Sequence, residues 1–248
     1  MSLNSSWKKS KIPIQWVKGF QLQGSAPVQE DFFEVNPERG IFILADGFGG
    51  SSGKKAAEIV VKSVKSFLEQ EAGDLDATLP FELRSYFSLA GNILFNAISY
   101  ANQKLIQENQ KLPMMERGGA SLIAGYLEGK LLALASVGAC RLHLSRDGKT
   151  KEVVSPKTLE RQANPFSVES DSSIPLMSFG TAKQLEPEIN EIELQLGDQL
   201  CFETSGFRLA MREKLFQLKT LNEFSHGVDE LSSNTQLFGN ASALFVCF

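Results

Sequence analysis

The chain has 248 residues, a formal net charge of -4, 42% hydrophobic residues and 22% charged residues. This composition is typical of a soluble globular protein, and the negative charge argues against a nucleic-acid-binding surface, which needs clustered lysines and arginines. No apolar stretch is long enough to span a bilayer, and residues 1–11 are polar and basic without the apolar core of a secretory signal. We therefore expect a cytoplasmic protein that binds neither nucleic acid nor membrane.

The three cysteines lie far apart, each within an apolar, strand-like segment: Cys140, Cys201 and Cys247. Their spacing matches no zinc or redox motif. The pattern predicts buried free thiols in a reducing compartment.

The first strands lead to a glycine-rich turn. Residues 14–22 alternate between apolar and polar side chains, and residues 32–35 form a second short apolar segment, so both predict strands. A third, apolar strand at residues 41–45 ends at Asp46, and several glycines follow it. Because glycine lets the backbone turn sharply and approach other groups, an acid here suits metal or phosphate chemistry. The alternative is a tight turn whose aspartate caps the next helix.

Two long helices and a run of strands follow. Apolar residues recur at helical spacing in residues 53–71 and 80–109, and Pro80 suits a first helical turn. Residues 155–180, with several prolines and a serine and aspartate cluster, predict a surface flap. The remaining predicted strands are residues 120–127, 131–137, 141–145, 150–154, 188–194, 199–204 and 241–248, and the remaining predicted helices are residues 211–218 and 221–231.

This order of elements predicts the α+β class. Two antiparallel sheets packed on each other, with helices covering their outer faces, accommodate it. The sequence contains no internal repeat and no linker. We therefore expect a single domain over residues 1–248.

Six short motifs occur in one order along the chain. They are Glu30-Asp31, Ala-Asp-Gly-Phe-Gly-Gly at 45–50, Gly-Ala-Ser at 119–121, Ala-Ser-Val-Gly at 135–138 with Arg141 and the Asp147-Gly148 hairpin, Gly-Asp-Gln-Leu at 197–200, and Asn240 before the last strand. Together they resemble the motifs of the metal-dependent serine/threonine protein phosphatases of type 2C, over almost the whole chain. The resemblance implies a four-layer α-β-β-α sandwich with a metal site between the two sheets at one end.

The resemblance also implies a mechanism. Two divalent ions, Mg²⁺ or Mn²⁺, would bridge a hydroxide that attacks the phosphorus of a phosphoserine or phosphothreonine. Asp46 would bridge both ions, the carbonyl of Gly47 would bind one, and Glu30 and Asp31 would act directly or through water. Asp46 and Asp31 are then the candidate catalytic residues.

The sequence departs from the family where the chemistry is expected. Ser205 and Gly239 stand where the family has metal-binding aspartates, and Ala139 replaces a further acid. Ala26 stands where the family has a phosphate-binding arginine. The strands and turns of the family are therefore predicted to remain, without most of the side chains that they present.

Charge limits what the remaining acids can hold. Asp46, Asp31 and Glu30 offset only part of the four positive charges of two divalent ions. Two such ions about 4 Å apart would repel each other strongly. We expect one weakly bound Mg²⁺, Mn²⁺ or Ca²⁺ at Asp46, or no ion.

Other charged residues have two interpretations each. Glu203 lies two residues before Ser205, so it faces the same side of the strand and can replace a lost ligand; alternatively it is a solvated glutamate at a strand end. Arg208 and Arg212 contact phosphate or are solvated charges. His143 has no neighbouring ligand residues in the sequence, so we expect a structural or solvated histidine.

Two functions remain open. The first is a regulatory or phosphoprotein-binding module that has lost its metal centre, with a phosphoprotein or a protein kinase as its partner. The second is an active Mg²⁺- or Mn²⁺-dependent phosphatase with a reduced or rearranged site. The residues at 139, 205 and 239 favour the first, and the intact Asp46-Gly47 turn supports the second. Under both hypotheses we expect a monomer.

Overall fold

The computed structural model describes residues 12–71, 82–165, 173–234, 237 and 239–248, which contain ten strands and five α-helices. The strands are β1 (Trp16–Leu22), β2 (Phe32–Asn36), β3 (Ile41–Phe48), β4 (Gly119–Glu128), β5 (Leu131–Val137), β6 (Arg141–Arg146), β7 (Lys149–Val154), β8 (Glu188–Glu193), β9 (Gln199–Glu203) and β10 (Ala241–Cys247). The helices are α1 (Ser51–Glu71), α2 (Leu89–Gln110), α3 (Leu159–Ala163), α4 (Leu209–Phe216) and α5 (Leu221–Asn234). The basic segment 1–11 and the helix start expected at Pro80 lie outside the described residues.

The strands form two antiparallel sheets of five strands each. The first sheet has the order β1-β10-β9-β6-β7, and the second sheet has the order β2-β3-β4-β5-β8. Their inner faces share one apolar core, in which Phe42, Leu44, Ile123, Phe202 and Leu244 are fully buried. The predicted pair of packed antiparallel sheets is therefore confirmed.

The apolar sequence of β3 follows from its burial on both faces. Phe42 and Leu44 belong to the core between the sheets. Ile41 and Ile43 point the other way, into a second core with Val60 of α1. Because successive side chains of a strand alternate between its faces, a strand buried on both sides must be apolar at every position.

Helices cover both outer faces. Helices α1 and α2 pack on the second sheet. Met211 of α4 and Phe224 of α5 pack on Cys201 and Phe245 of the first sheet. The layers therefore follow the order helix, sheet, sheet, helix, which confirms the four-layer α-β-β-α architecture.

The second long helix begins later than predicted. It starts at Leu89, because the Ser88 side chain accepts a hydrogen bond from the backbone N of Gly91 at 3.1 Å and caps the first turn. The Asn92 side chain donates to the carbonyls of Ser88 and Arg84 at 2.9 and 3.1 Å. Residues 82–88 therefore fold back over the helix start, and the prediction of helix across them was wrong.

The described parts of the predicted flap are tied to the sheets. Thr158 caps α3, a short helix that the sequence analysis missed, by accepting a hydrogen bond from the backbone N of Arg161 at 3.2 Å. The backbone N of Leu176 donates to the carbonyl of Lys157, and Phe179 is fully buried against β4. Residues 166–172 of the predicted flap lie outside the described residues.

The cysteines behave as predicted. All three are buried and form no disulfide. Burial raises the pKa of the Cys140 and Cys201 thiols well above the ordinary value, so both stay protonated. Within the described part of the chain, no helix is both long enough and apolar enough to cross a membrane.

Candidate metal centre

Asp46 lies near the end of β3, which continues to Phe48 instead of ending at Asp46 as predicted. Its Oδ2 accepts a hydrogen bond from the backbone N of Ser205 at 2.9 Å, and the Ser205 hydroxyl donates to the same carboxylate. Burial raises the pKa of Asp46, while the hydrogen bonds from Ser205 and the charge of Arg141 oppose this effect. The residue that replaces a metal-binding aspartate of the family is therefore a hydrogen-bond donor to Asp46.

Gly47 lies within β3 and pairs with β4, so the chain does not turn at Asp46 as predicted. A Cβ at Gly47 would lie 2.4 Å from the carbonyl oxygen of Gly53 and 2.6 Å from that of Glu30. Such distances exclude any side chain, so only glycine lets the start of α1 and the Glu30 backbone approach the strand this closely. The glycine that supplies the predicted carbonyl ligand is therefore in place, but inside the strand.

Asp31 lies beneath Asp46 and is 2% exposed. Its Oδ2 accepts a hydrogen bond from the Thr204 hydroxyl at 3.0 Å, and its Oδ1 has no partner among the described residues. Burial, followed by the charge of Asp46, raises the pKa of Asp31 well above its ordinary value, although the hydroxyls of Ser242 and Thr204 oppose the shift. Asp31 is thus a buried acid that the neighbouring hydroxyls compensate only in part.

Glu30 completes the group of acids. Its backbone N donates to Oδ1 of Asn240 at 2.8 Å, and the Asn240 amide donates to the carbonyls of Gln23 and Val28 at 3.1 and 3.0 Å. The side-chain Oε1 of Glu30 is buried and has no partner in the described part of the chain. Burial raises the pKa of Glu30, with a further contribution from Asp46. Asn240 therefore positions the loop that carries Glu30.

Two concave surfaces meet at Asp46. The first, which we call the acidic pocket, has a volume of about 230 Å³. Its lining includes Glu30, Asp46, Gly47, Ser205, Arg208 and Gly239. The second, which we call the apolar groove, has a volume of about 550 Å³. Its lining includes Phe48, Ile174, Leu176 and Met177, and it shares Asp46 and Ser205 with the acidic pocket.

The residues that line the acidic pocket do not fit a two-ion centre. The position of Gly239 contributes no ligand; no atom of the described residues lies within 4 Å of a Cβ built there. At Ser205 an N–H and a hydroxyl point to the carboxylate that should bridge the ions. Among the described residues, no group of three or more histidine, cysteine, aspartate or glutamate side chains is arranged to hold a metal.

Glu203, the alternative ligand, faces the opposite side of the first sheet. It is fully buried, and its carboxylate accepts two hydrogen bonds from Arg212 Nη1 at 3.1 and 2.8 Å. Its oxygens also lie 3.4 Å from Arg141 Nε and 3.0 Å from His143 Nδ1. Burial alone raises the pKa of Glu203, but the contact with His143 and the charges of both arginines lower it below the ordinary value. Glu203 is therefore the centre of a buried ion cluster.

The alternation argument for Glu203 was wrong because β9 ends at that residue. Cys201 and Glu203 point toward α4, and after the strand ends the chain turns so that Ser205 reaches Asp46. Arg212 is buried in the same ion cluster, so the expectation of a solvated or phosphate-binding arginine was also wrong. His143 is structural, as expected.

The ion cluster around Glu203 was not predicted from the sequence. Arg141 and His143 lie two residues apart on β6, which places them on one face, and β6 pairs with β9 so that Arg141 is opposite Glu203. Arg141 Nη2 also donates to the carbonyls of Ser205 and Phe207 at 3.3 and 3.0 Å. The spacing of Arg141 and His143 was the available signal, but the pairing of two distant strands was not visible in the sequence.

Comparison with known proteins supports the resemblance. No protein-family model matches the chain. The chain is 24% identical over 205 residues to the serine/threonine protein phosphatase PstP of Mycobacterium tuberculosis, a match that covers 77% of the chain. The matched region covers only 37% of that relative's length.

Solved structures share the fold over nearly the whole chain. The catalytic domain of PstP in complex with two manganese ions has a TM-score of 0.75 at 18% identity, covering 94% of this chain and 98% of that one. Stp1 of Staphylococcus aureus has a TM-score of 0.77 at 17% identity, covering 97% of both chains. The phosphatase MsPP of Mycobacterium smegmatis, in complex with cacodylate, has a TM-score of 0.76 at 15% identity, covering 96% of this chain and 100% of that one. The chain therefore has the type 2C phosphatase fold and is similar in sequence to a serine/threonine protein phosphatase.

Proposed function

We propose that the domain is a catalytically impaired relative of the type 2C phosphatases that acts as a regulatory module by binding a protein partner. The observation that supports this most directly is the hydrogen bond from the backbone N of Ser205 to the Asp46 carboxylate. An oxygen that accepts a backbone N–H at 2.9 Å is directed at that donor, and the serine hydroxyl donates to the same carboxylate. Ser205 therefore places two donors on the Asp46 carboxylate at a position where the family has a metal-binding acid.

The ligand count supports the same conclusion. Mn²⁺ and Mg²⁺ prefer several carboxylate and carbonyl oxygens, and two adjacent ions need bridging acids. The PstP structure holds two manganese ions. In this chain alanine, serine and glycine stand at positions 139, 205 and 239. The acids that remain provide too little negative charge for two ions.

The buried thiols support a cytoplasmic location. All three cysteines are free and lie in the protein core or at its edge. Free thiols of this kind persist in reducing compartments. We place the regulatory module there.

Metal binding tests the proposal. Mn²⁺ and Mg²⁺ are titrated by calorimetry into the wild-type protein and Asp46→Ala, and turnover of p-nitrophenyl phosphate is followed in the same samples. We expect no saturable heat from either ion and no turnover above the Asp46→Ala background. Tight binding at two sites with turnover that disappears in Asp46→Ala would overturn the proposal.

A second function has its own support. Oδ1 of Asp31 and Oε1 of Glu30 are buried without partners among the described residues, which is the state that a bound ion or its water would relieve. This favours a phosphatase with a rearranged site. The same titration separates the two functions, because only the second requires a bound ion.

A further inference from the structure

The acidic pocket carries an excess of negative charge. Glu30 and Asp46 line it, and Asp31 lies near enough for the charges of both to act on it. Arg208 is the one cationic side chain among the described residues that line the pocket, and the charge of the buried Arg141 also acts on Asp46. Three carboxyl groups therefore outnumber two guanidinium groups.

Unused hydrogen-bond acceptors lie in the pocket and beside it. The buried Oε1 of Glu30, which lines the pocket, has no partner among the described residues, and neither has Oδ1 of Asp31, which lies behind the lining. Leaving a buried acceptor without a donor costs free energy that a bound donor would recover. The chemistry of the pocket thus calls for a ligand that donates hydrogen bonds and carries positive charge.

A phosphate group has the opposite chemistry. It brings negative charge and acceptor oxygens, which the carboxylates of the pocket repel. Ala26, which lines the pocket, supplies no cation to offset this repulsion. A lysine ammonium has three donors and no acceptor, so it matches both the charge and the unpaired oxygens.

The apolar groove indicates which residues would flank such a lysine in a bound peptide. It runs on from the pocket through the shared residues Asp46 and Ser205. Its side chains Phe48, Ile174 and Leu176 are 37%, 53% and 46% exposed, so together they form an exposed apolar patch beside the pocket. A peptide that lies in the groove can bury apolar side chains there while one neighbour enters the pocket.

We propose that the acidic pocket and the apolar groove bind a basic peptide segment of a partner protein, with a lysine side chain in the pocket and apolar neighbours in the groove. The inference rests on the proposed function, because it requires a pocket without metal ions. It identifies the partner by its chemistry as an unphosphorylated segment in which lysine is flanked by apolar residues.

Fluorescence polarisation tests this with three labelled synthetic peptides. They share leucine and isoleucine flanks and differ only at the centre, which is lysine, norleucine or phosphoserine. We expect the lysine peptide to bind most tightly, and added salt to weaken it, because charge attraction is screened. Glu30→Gln and Asp46→Asn should each weaken it by about tenfold, and Glu38→Gln, in the exposed turn at the other end of β3, should leave it unchanged.

A variant with the opposite peptide preference distinguishes loss of binding from loss of folding. Ala26→Arg adds a cation at the rim of the pocket without removing any acid. We expect it to weaken the lysine peptide and strengthen the phosphoserine peptide while the circular dichroism spectrum stays unchanged. Equal binding of the lysine and norleucine peptides, or tighter binding of phosphoserine by the wild type, would overturn the inference.

The inference and the proposed function fail in different ways. Absence of lysine-dependent binding together with absence of metal binding would remove the inference and leave the proposed function standing. Saturable Mn²⁺ binding with Asp46-dependent turnover would remove both. Displacement of the bound lysine peptide by Mn²⁺ alone would show that an ion binds in the same pocket, and it would overturn the proposed function and the inference that rests on it.

Discussion

Two groups of acids withdrawn from solvent differ in how their charge is balanced. Glu203 is fully buried and surrounded by Arg141, Arg212 and His143. Glu30, Asp31 and Asp46 lie near one another instead, and the charge of Asp46 acts on the other two acids. The pKa of Glu203 is lowered, and the pKa of each of the other three acids is raised.

This difference in charge compensation distinguishes the ion cluster, which is structural, from the acidic pocket, which we propose to bind a ligand. Within the ion cluster the protein supplies all the compensating charge, so the carboxylate is stable as an anion. At the acidic pocket the compensation is incomplete, because hydrogen bonds from Ser205 and Thr204 meet only part of the demand. The missing part is what a ligand can contribute.

The largest expected effect comes from breaking the ion cluster. Glu203→Gln keeps the shape of the side chain but leaves two buried arginines with reduced compensation. We expect the free energy of unfolding to fall by about 3 kcal/mol, because removing one partner of a buried pair leaves an uncompensated charge. Urea denaturation measures this.

The matched control is Glu38→Gln, which changes an exposed glutamate in the turn before β3. We expect its unfolding free energy to stay within about 0.5 kcal/mol of the wild type. Similar losses of unfolding free energy in Glu203→Gln and Glu38→Gln would show that the ion cluster does not contribute to stability as expected.

A smaller effect is expected from Gly47, which lines the acidic pocket near the end of β3. Gly47→Ala would place a Cβ 2.4 Å from the Gly53 carbonyl, so we expect a loss of about 2 kcal/mol from overpacking against backbone. Gly239→Ala is the matched control, because no described atom lies within 4 Å of a Cβ built there. Calorimetric melting of both variants should show a clear drop for the first and little change for the second; equal drops would refute the packing argument.

The pH dependence gives the smallest effect. Because the folded pKa of Glu203 lies below the ordinary 4.5, its contribution to stability is complete above that value and is lost as the pH falls through the folded pKa. The difference in unfolding free energy between the wild type and Glu203→Gln should therefore be constant at neutral pH and shrink in acid. A difference that grows as the pH falls would mean that the pKa is raised instead.

Most of the fold could be predicted because its elements are encoded locally. The strand at 131–137 follows from hydrophobic periodicity, and the structure has it. The strand predicted to end at Asp46 continues to Phe48, because Asp46 and Gly47 remain paired with β4. The start of α2 was misplaced because Ser88 and Asn92 end the pattern through side-chain hydrogen bonds, which periodicity does not show. Local apolar pattern was thus a better guide than the position of a single proline.

The candidate site was only half predictable. Asp46, Asp31 and Glu30 do come together, since each belongs to a recognisable motif. The donors that meet them, Ser205 and Thr204, could be placed near the site but not given their roles, because a hydrogen bond across 159 residues depends on the tertiary fold. The role of Glu203 was missed for the same reason.

In the proposed function the fold is kept, but the metal centre is lost because serine and glycine stand at positions 205 and 239. Mn²⁺ titration calorimetry on the wild type and on Ser205→Asp/Gly239→Asp tests it most directly, with p-nitrophenyl phosphate turnover as a second signal. The double variant restores two acids, and no atom of the described residues lies within 4 Å of a Cβ built at Gly239. We predict no saturable heat for the wild type and saturable Mn²⁺ binding for the double variant, because added carboxylates strengthen a divalent site. Tight Mn²⁺ binding by the wild type, unchanged in the double variant, would contradict the account.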